Sequence, residues 1–156
     1  MDLAKQILTE RFYQEFIAFS ILSVLAVLVA CLIIFLYITR YKRMKKGLRA
    51  FLFGAILAFL LLVAAVGVLE TRYIRDLQYV QNGDFCYVEG ELIGYAKSST
   101  SGDEVTVTRS WPIIKDDANG QTVSLNILHS EERTNVGERY AVIYLPNTKV
   151  AEIVQE

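Results

Sequence analysis

The chain has 156 residues, 53% of them hydrophobic, with 16 basic and 17 acidic side chains for a net charge of −1. That length bounds it to one modest domain plus extras, and a charge so near zero excludes a general affinity of the whole chain for polyanions. The two cysteines, Cys31 and Cys86, stand in unlike surroundings and give neither a disulfide framework nor a metal-ligand spacing.

Residues 1–15 read as an N-terminal tail, with Lys5 and Arg11 against Asp2, Glu10 and Glu15. Residues 16–38, FIAFSILSVLAVLVACLIIFLYI, are 23 consecutive uncharged residues, and residues 50–69, AFLFGAILAFLLLVAAVGVL, are 20 more. At about 1.5 Å of rise per residue, each helix reaches across a hydrocarbon core of about 30 Å. Backbone polar groups in lipid have to be paired within the segment, so both runs predict spanning helices. Two buried core helices are the soluble alternative, but the polar remainder is too short to cover them. The first run has no basic flank before it and exceeds the length of a secretory apolar region, so it reads as a retained anchor. Residues 16–69 thus form a transmembrane helical hairpin.

Its turn, residues 40–49, carries Arg40, Lys42, Arg43, Lys45, Lys46 and Arg49 and no acid. Basic residues beside span ends are retained on the cytoplasmic side. The expected arrangement is a multi-pass cell-membrane protein with the N-terminus and the C-terminal region both extracytoplasmic. The six basic residues set that topology and touch lipid head groups, each contributing about 1 kcal/mol near an anionic surface. Ten residues clamped between two spans form no groove for nucleic acid. Phe12, Tyr13, Tyr37, Tyr41, Phe51, Phe53 and Tyr73 frame the spans as interfacial aromatics. Ser23, Ala26, Ala30, Gly54, Ala58 and Ala65 are small enough for close helix approach. Neither span contains an ionisable residue of the kind a channel or proton relay requires.

In residues 70–82, Tyr73, Ile74, Leu77 and Val80 recur at helical spacing among charges. They predict a helical stalk continuing from the second span and broken by Asn82-Gly83-Asp84. A homodimer through the spans or the stalk is one expected use of that apolar seam.

Residues 83–156 change character. Phe85–Ala96 is strand-like, with Gly90 and Gly94 suited to a bend or bulge. Lys97–Glu104 reads as a loop, Val105–Trp111 as an alternating strand, and Pro112 as an interruption before Ile113 and Ile114. Asn119-Gly120 signals a hairpin. Thr122–Leu128 places Val123, Leu125 and Ile127 on one face; His129–Glu138 is a polar connection; Arg139–Pro146 and Lys149–Val154 are two closing strands. The predicted class is membrane α+β, a two-helix transmembrane hairpin followed by a small antiparallel all-β domain. The domain is expected as a barrel of OB or SH3 size, or a sandwich.

Chemistry-bearing residues are few. His129 is the single histidine, and a hydrolytic triad needs a nucleophile, a base and an orienting group that converge. Asp116-Asp117 and Glu131-Glu132 are adjacent pairs that read as solvated carboxylates rather than metal ligands. No phosphate-binding or zinc-hydrolase motif occurs. The expectation is a protein that is not an enzyme and uses no cofactor. Tyr95, Trp111 and Tyr144, where exposed together, would make a partner-binding patch. Core packing is the plainer role for such aromatics. From Glu70 onward 14 acids face 8 bases, which favours basic partners and disfavours nucleic acid.

The segments GELIGYAK, RSWPIIKDDANGQTVSLNI and NVGERYAVIYLPNTKVAEI resemble a widespread group of uncharacterised bacterial membrane proteins with a small extracytoplasmic β-domain. The resemblance rests on Asn119-Gly120-Gln121-Thr122-Val123, Val136-Gly137-Glu138 and Val142-Ile143-Tyr144-Leu145-Pro146 and covers about 65 residues. In place of that group's Tyr before Pro, this chain has Trp111-Pro112. The likeness implies a membrane-anchored β-module without known enzymatic activity. A looser similarity is to NfeD-like proteins, in which spans precede an OB-type domain that assists membrane-bound partners. The expected role is binding: an accessory or protective partner of another membrane or secreted protein, for example an immunity protein against a secreted or membrane-targeted toxin. The alternatives are a membrane sensor or regulator, and an NfeD-like assembly partner of a membrane protease or stomatin-like complex.

Overall fold

The computed structural model describes residues 1–40, 46–101, 106–128 and 130–154. Two long helices, α1 (Asp2–Arg40) and α2 (Lys46–Asn82), precede β1 (Cys86–Ser101), β2 (Thr106–Asp116), β3 (Thr122–Ser124), β4 (Asn126–Ile127), the short α3 (Ser130–Arg133), β5 (Arg139–Tyr144) and β6 (Val150–Ile153). The chain divides into two compact units, residues 14–73 and residues 1–13 with 74–156.

In the first unit the helices face each other in opposite directions. Tyr73 donates its hydroxyl to the Glu15 carboxylate at 2.8 Å, Ser20 donates to Glu70 at 3.3 Å, and Ala30 and Ile33 lie across from Ile56 and Phe59. Phe16 and Phe19 pack on the Tyr73 ring at centroid distances of 6.5 and 5.1 Å. Each helix carries a long apolar stretch in which no residue is fully buried in the protein. Leu25, Leu28, Phe35, Phe51 and Leu61 all point outward. Water does not tolerate contiguous apolar surface of that extent, and the uncharged runs within the helices, residues 16–38 and 50–69, are long enough to cross a bilayer. These are the two spans of a membrane protein. Arg40 lies in the last turn of α1 and Arg49 in the first turns of α2. Lys46 opens α2, while Lys42, Arg43 and Lys45, and the Lys46 side chain, lie outside the described residues.

In the second unit the residues expected as a tail are helical and packed. Ala4, Leu8 and Phe12 repeat every fourth position and form one buried stripe. Arg11 donates to the Ala151 carbonyl at 3.3 Å, and the Lys5 ammonium lies 5.9 Å from the centre of the Phe85 ring. The stalk is helical as expected, though its buried face runs through Asp76 and Val80, with Ile74 exposed. It stops at Gly83, whose φ of +73° suits only glycine without strain. There the N–H groups of Gly83 and Asp84 return to the carbonyls of Val80 and Tyr79 and close the last turn.

The sheet order is β3-β2-β1-β5-β6-β4. Four of its ladders are antiparallel, and the fifth, Asn126 and Ile127 against Val150 and Ala151, is parallel. The expected all-antiparallel sheet is therefore mixed. The physical reason is that β3 and β4 are successive parts of one extended segment. The first part pairs with β2; Leu125 N–H then donates to the Pro112 carbonyl and Asn126 N–H to that of Lys149, which carries the segment across to β6. Inside lie Val88, Leu92, Ile114, Leu125, Ile127, Val142 and Ala151. β1 is longer than the sequence suggested, pairing Lys97–Ser101 with Thr106–Ser110 where a loop was expected. Its register shifts between Leu92 and Gly94, at the expected irregularity. Gly90 instead permits a close strand approach, since a Cβ there would come within 1.8 Å of the Lys115 carbonyl oxygen. Pro112 does not interrupt β2; its nitrogen owes no ladder bond, and Trp111 before it takes φ +62°.

Candidate functional site

Strand β1 alternates Tyr87, Glu89 and Glu91 outward with Val88 and Leu92 inward. Tyr87 and Glu89 floor an open hollow of about 430 Å³. The β2–β3 turn supplies one wall through Asp116, Asp117 and Ala118, and Arg139 at the start of β5 supplies the other. That turn is held by its own polar groups. Ala118 N–H donates to the Asp116 carboxylate at 2.9 Å, Gln121 N–H to the Asn119 side-chain carbonyl at 2.8 Å, and Gly120 takes φ +70°. Asp117 N–H is tied to the Glu89 carbonyl at 3.0 Å, which fixes the turn against β1.

Arg139 forms an ion pair with Asp117 across the hollow. Beyond Arg139 and Glu89 a second hollow of about 260 Å³ continues past Tyr140, Ala141 and Ile153. Arg139 and Glu89 therefore stand between two adjoining concavities. Tyr87 is half exposed and donates its hydroxyl to Glu89 at 3.1 Å. Three carboxylates around one guanidinium leave the first hollow electronegative.

A polar corner borders the second hollow. Tyr140 donates to Glu138 at 2.6 Å, and Asn135 donates its N–H to the Tyr140 oxygen at 2.8 Å and its side-chain amide to Glu138 at 3.2 Å. The Tyr140 hydroxyl, and after it the Asn135 amide, hold the Glu138 carboxyl below its usual range. Burial, and after it the Glu138 carboxylate, push the Tyr140 phenol up.

The three aromatics singled out from the sequence are all half-buried, and they are not gathered into one patch. Tyr95 packs against the core and donates to the Thr134 carbonyl at 2.8 Å. Trp111 neighbours it, since Tyr95 stands opposite Pro112. Tyr144, the last residue of β5, stands opposite Cys86 at the start of β1, packed on the core with the Lys149 ammonium 5.1 Å from its ring centre. Burial, and then the neighbouring Cys86 and Asp116, raise the Tyr144 phenol.

Sequence reasoning missed Tyr87, Glu89 and Arg139. The alternation in YVEGEL was the available signal, because it puts Tyr87 and Glu89 on one face; nothing local to Arg139 foretells that it meets Asp117. Cys31 and Cys86 are both free thiols. His129 lies outside the described residues. Among the described residues no group of three or more His, Cys, Asp or Glu is placed to hold a metal ion. Comparison with protein-family models, with curated proteins and with solved structures finds no match to this chain.

Proposed function

We propose that this chain is a membrane-anchored, non-enzymatic binding or accessory protein, whose β-domain works at the outer face of the cell membrane with the N-terminus on the same side. The observation that carries the reading is the pair of adjoining hollows divided by Arg139 and Glu89 on a small sheet domain. A concave surface with a half-exposed tyrosine and a few convergent charges is suited to gripping a protein segment. Its electronegative rim favours a basic segment of another membrane or secreted protein. Protection of the cell as an immunity protein, by occupying the basic surface of a toxin, is one concrete form of that role.

The strand connectivity favours a second reading. β1 pairs with β2 and β5, β5 with β6, and the segment containing β3 and β4 with both β2 and β6. With α3 placed before β5, we read this as a five-stranded OB-type barrel. An OB-type module behind membrane spans suits an assembly partner of a membrane protease or stomatin-like complex, by analogy of fold alone.

Ala118 is exposed on the wall of the first hollow, so Ala118→Cys in a Cys86→Ser background reports both position and accessibility. Labelling of intact cells by a membrane-impermeant thiol reagent is the expected result; labelling only after lysis overturns the outward placement. A photocrosslinking residue at Tyr87 then tests binding. The expected adduct with an envelope or secreted protein disappears when Glu89 and Asp117 are both changed to Lys, and an adduct indifferent to that change refutes the groove.

A further inference from the structure

We propose that the first hollow receives one arginine side chain of the partner, and that Arg139 is a built-in competitor that holds its place until it arrives. This builds on the groove's role in gripping a basic segment, and fails if that role fails. The hollow presents the carboxylates of Glu89, Asp116 and Asp117 and the half-exposed ring of Tyr87. Among the described residues that line it, Arg139 alone is basic, and its guanidinium is paired with Asp117.

That pair points to what the hollow accepts. The wall is fixed before any ligand arrives, because Asp117 N–H is bonded to the Glu89 carbonyl and the Asp116 carboxylate is engaged by the Ala118 N–H at 2.9 Å. Asp117 and Glu89 are left to meet a cation. A carboxylate accepts several donors, so each has capacity beyond Arg139 and the Tyr87 hydroxyl. A guanidinium is a flat fork of donors that matches carboxylates and lies on aromatic faces, whereas an ammonium is a hydrated point charge without that fork. Carboxylates beside an exposed tyrosine ring therefore select arginine over lysine. Liquid water takes about 30 Å³ per molecule, so a hollow of about 430 Å³ has room for a second arginine side chain beside Arg139.

Arg139 and the incoming arginine compete for Asp117. The Arg139 side chain is 66% exposed and that of Asp117 42%, so water screens their pair and it holds weakly. The closed arrangement is expected to outweigh the open one by about four to one. Arg139 also lines the second hollow together with Glu89, so a displaced guanidinium has an adjoining space with a carboxylate in it. Binding and the release of Arg139 are thus linked, and the apparent affinity falls to about one fifth of its intrinsic value.

The test follows the anisotropy of fluorescein-labelled hexa-arginine added to the full chain in phosphatidylcholine nanodiscs. Wild type is expected to bind it, and the variant with Glu89 and Asp117 both changed to Lys is not. Arg139→Gln is expected to bind about tenfold more tightly, about fivefold from the open hollow and about twofold from the lost positive charge. Hexalysine is expected to bind Arg139→Gln about threefold more weakly than hexa-arginine does. A second readout separates release from charge: the NMR signal of the Arg139 Nε–H in wild type, assigned by its absence from Arg139→Gln. Saturating hexa-arginine should move that signal to its position in Asp117→Asn, where the pair is broken. If binding requires Glu89 and Asp117 but the Arg139 signal stays in place, or Arg139→Gln binds no more tightly, the competitor is overturned while the groove's role stands. Equal affinity for the two peptides overturns the choice of arginine. Absence of binding to both wild type and Arg139→Gln, or binding indifferent to Glu89 and Asp117, overturns groove and competitor together.

Discussion

Asp76 receives both the backbone N–H and the hydroxyl of Thr148 on its Oδ2, each at 2.7 Å. Its Oδ1 takes the Asn147 N–H at 3.1 Å and the Asn147 side-chain amide at 2.7 Å. The carboxylate is fully buried on the stalk, and its four donors all come from the β5–β6 turn. A single side chain thus fastens the strand pair to α2. Asp76→Ala leaves those donors facing no acceptor, at a cost of about 3–5 kcal/mol. Asp76→Asn keeps the size but turns an NH₂ toward other donors, so it falls between alanine and wild type. Denaturant unfolding of the detergent-solubilised protein, followed by the fluorescence of Trp111, checks the order.

How far this architecture could be read in advance depends on the range of the interactions. The spans were legible because a charge-free run of 23 residues has one stable use in a chain of this size. The stalk and the Asn119-Gly120 turn were legible because helix periodicity and turn chemistry are local. The packing of residues 1–13 was not. Ala4, Leu8 and Phe12 form a stripe, but the sequence does not show that Arg11 reaches Ala151, 140 positions away. Likewise, Asp76 reads as one more stalk charge until Asn147 and Thr148 are seen to converge on it. The parallel β4–β6 pairing hinges on where one extended segment changes partners, which alternation alone does not encode. At the candidate groove, Tyr87 and Glu89 were available from strand parity, whereas the Arg139–Asp117 pairing is purely tertiary.

Gly90 makes the second prediction. It stands opposite Asp116 on β2 and Tyr140 on β5, and a Cβ would meet the Lys115 carbonyl at 1.8 Å and the Ile114 side chain at 3.2 Å. The carbonyl is backbone and cannot swing aside. Gly90→Ala forces β1 away from β2 and is expected to cost more than about 3 kcal/mol, at the upper end for overpacking. Limited proteolysis should show a cleavable β-domain behind protected spans. Gly94→Ala, where a Cβ meets nothing within 4 Å, is the matched control and should resist cleavage like wild type.

Arg133 and Glu152 make the third. The guanidinium of α3 meets the β6 carboxylate at 2.6 Å, and the Glu152 side chain is only 6% exposed against 30% for Arg133. Removing the arginine strands a buried negative charge. Arg133→Met is expected to cost about 3 kcal/mol, whereas Arg133→Met with Glu152→Met removes both charges and regains most of that loss. A double-mutant cycle on unfolding midpoints measures the difference, and a double variant no better than Arg133→Met would show that the pair is not what holds α3.

The last prediction concerns pH. Glu138 has its carboxyl held low, chiefly by the Tyr140 hydroxyl and then by the Asn135 amide. A carboxyl bound more tightly in its charged form stabilises the fold at pH above its unfolded value. That contribution disappears as pH falls through the lowered folded value, so it is lost on the acid side. Tyr140 behaves oppositely. Its phenol is raised, first by burial and then by Glu138, so its contribution is complete below the ordinary tyrosine range and disappears as pH climbs through the raised value. Tyr140→Phe should let Glu138 titrate closer to an ordinary glutamate, as read by the carbon shift of its carboxyl in an NMR titration. Glu138→Gln should lower Tyr140 only part of the way, because burial, the larger cause, remains. If Glu138 titrates identically in wild type and Tyr140→Phe, the hydrogen bond between them does not form in solution, and the corner beside the second hollow is open rather than latched.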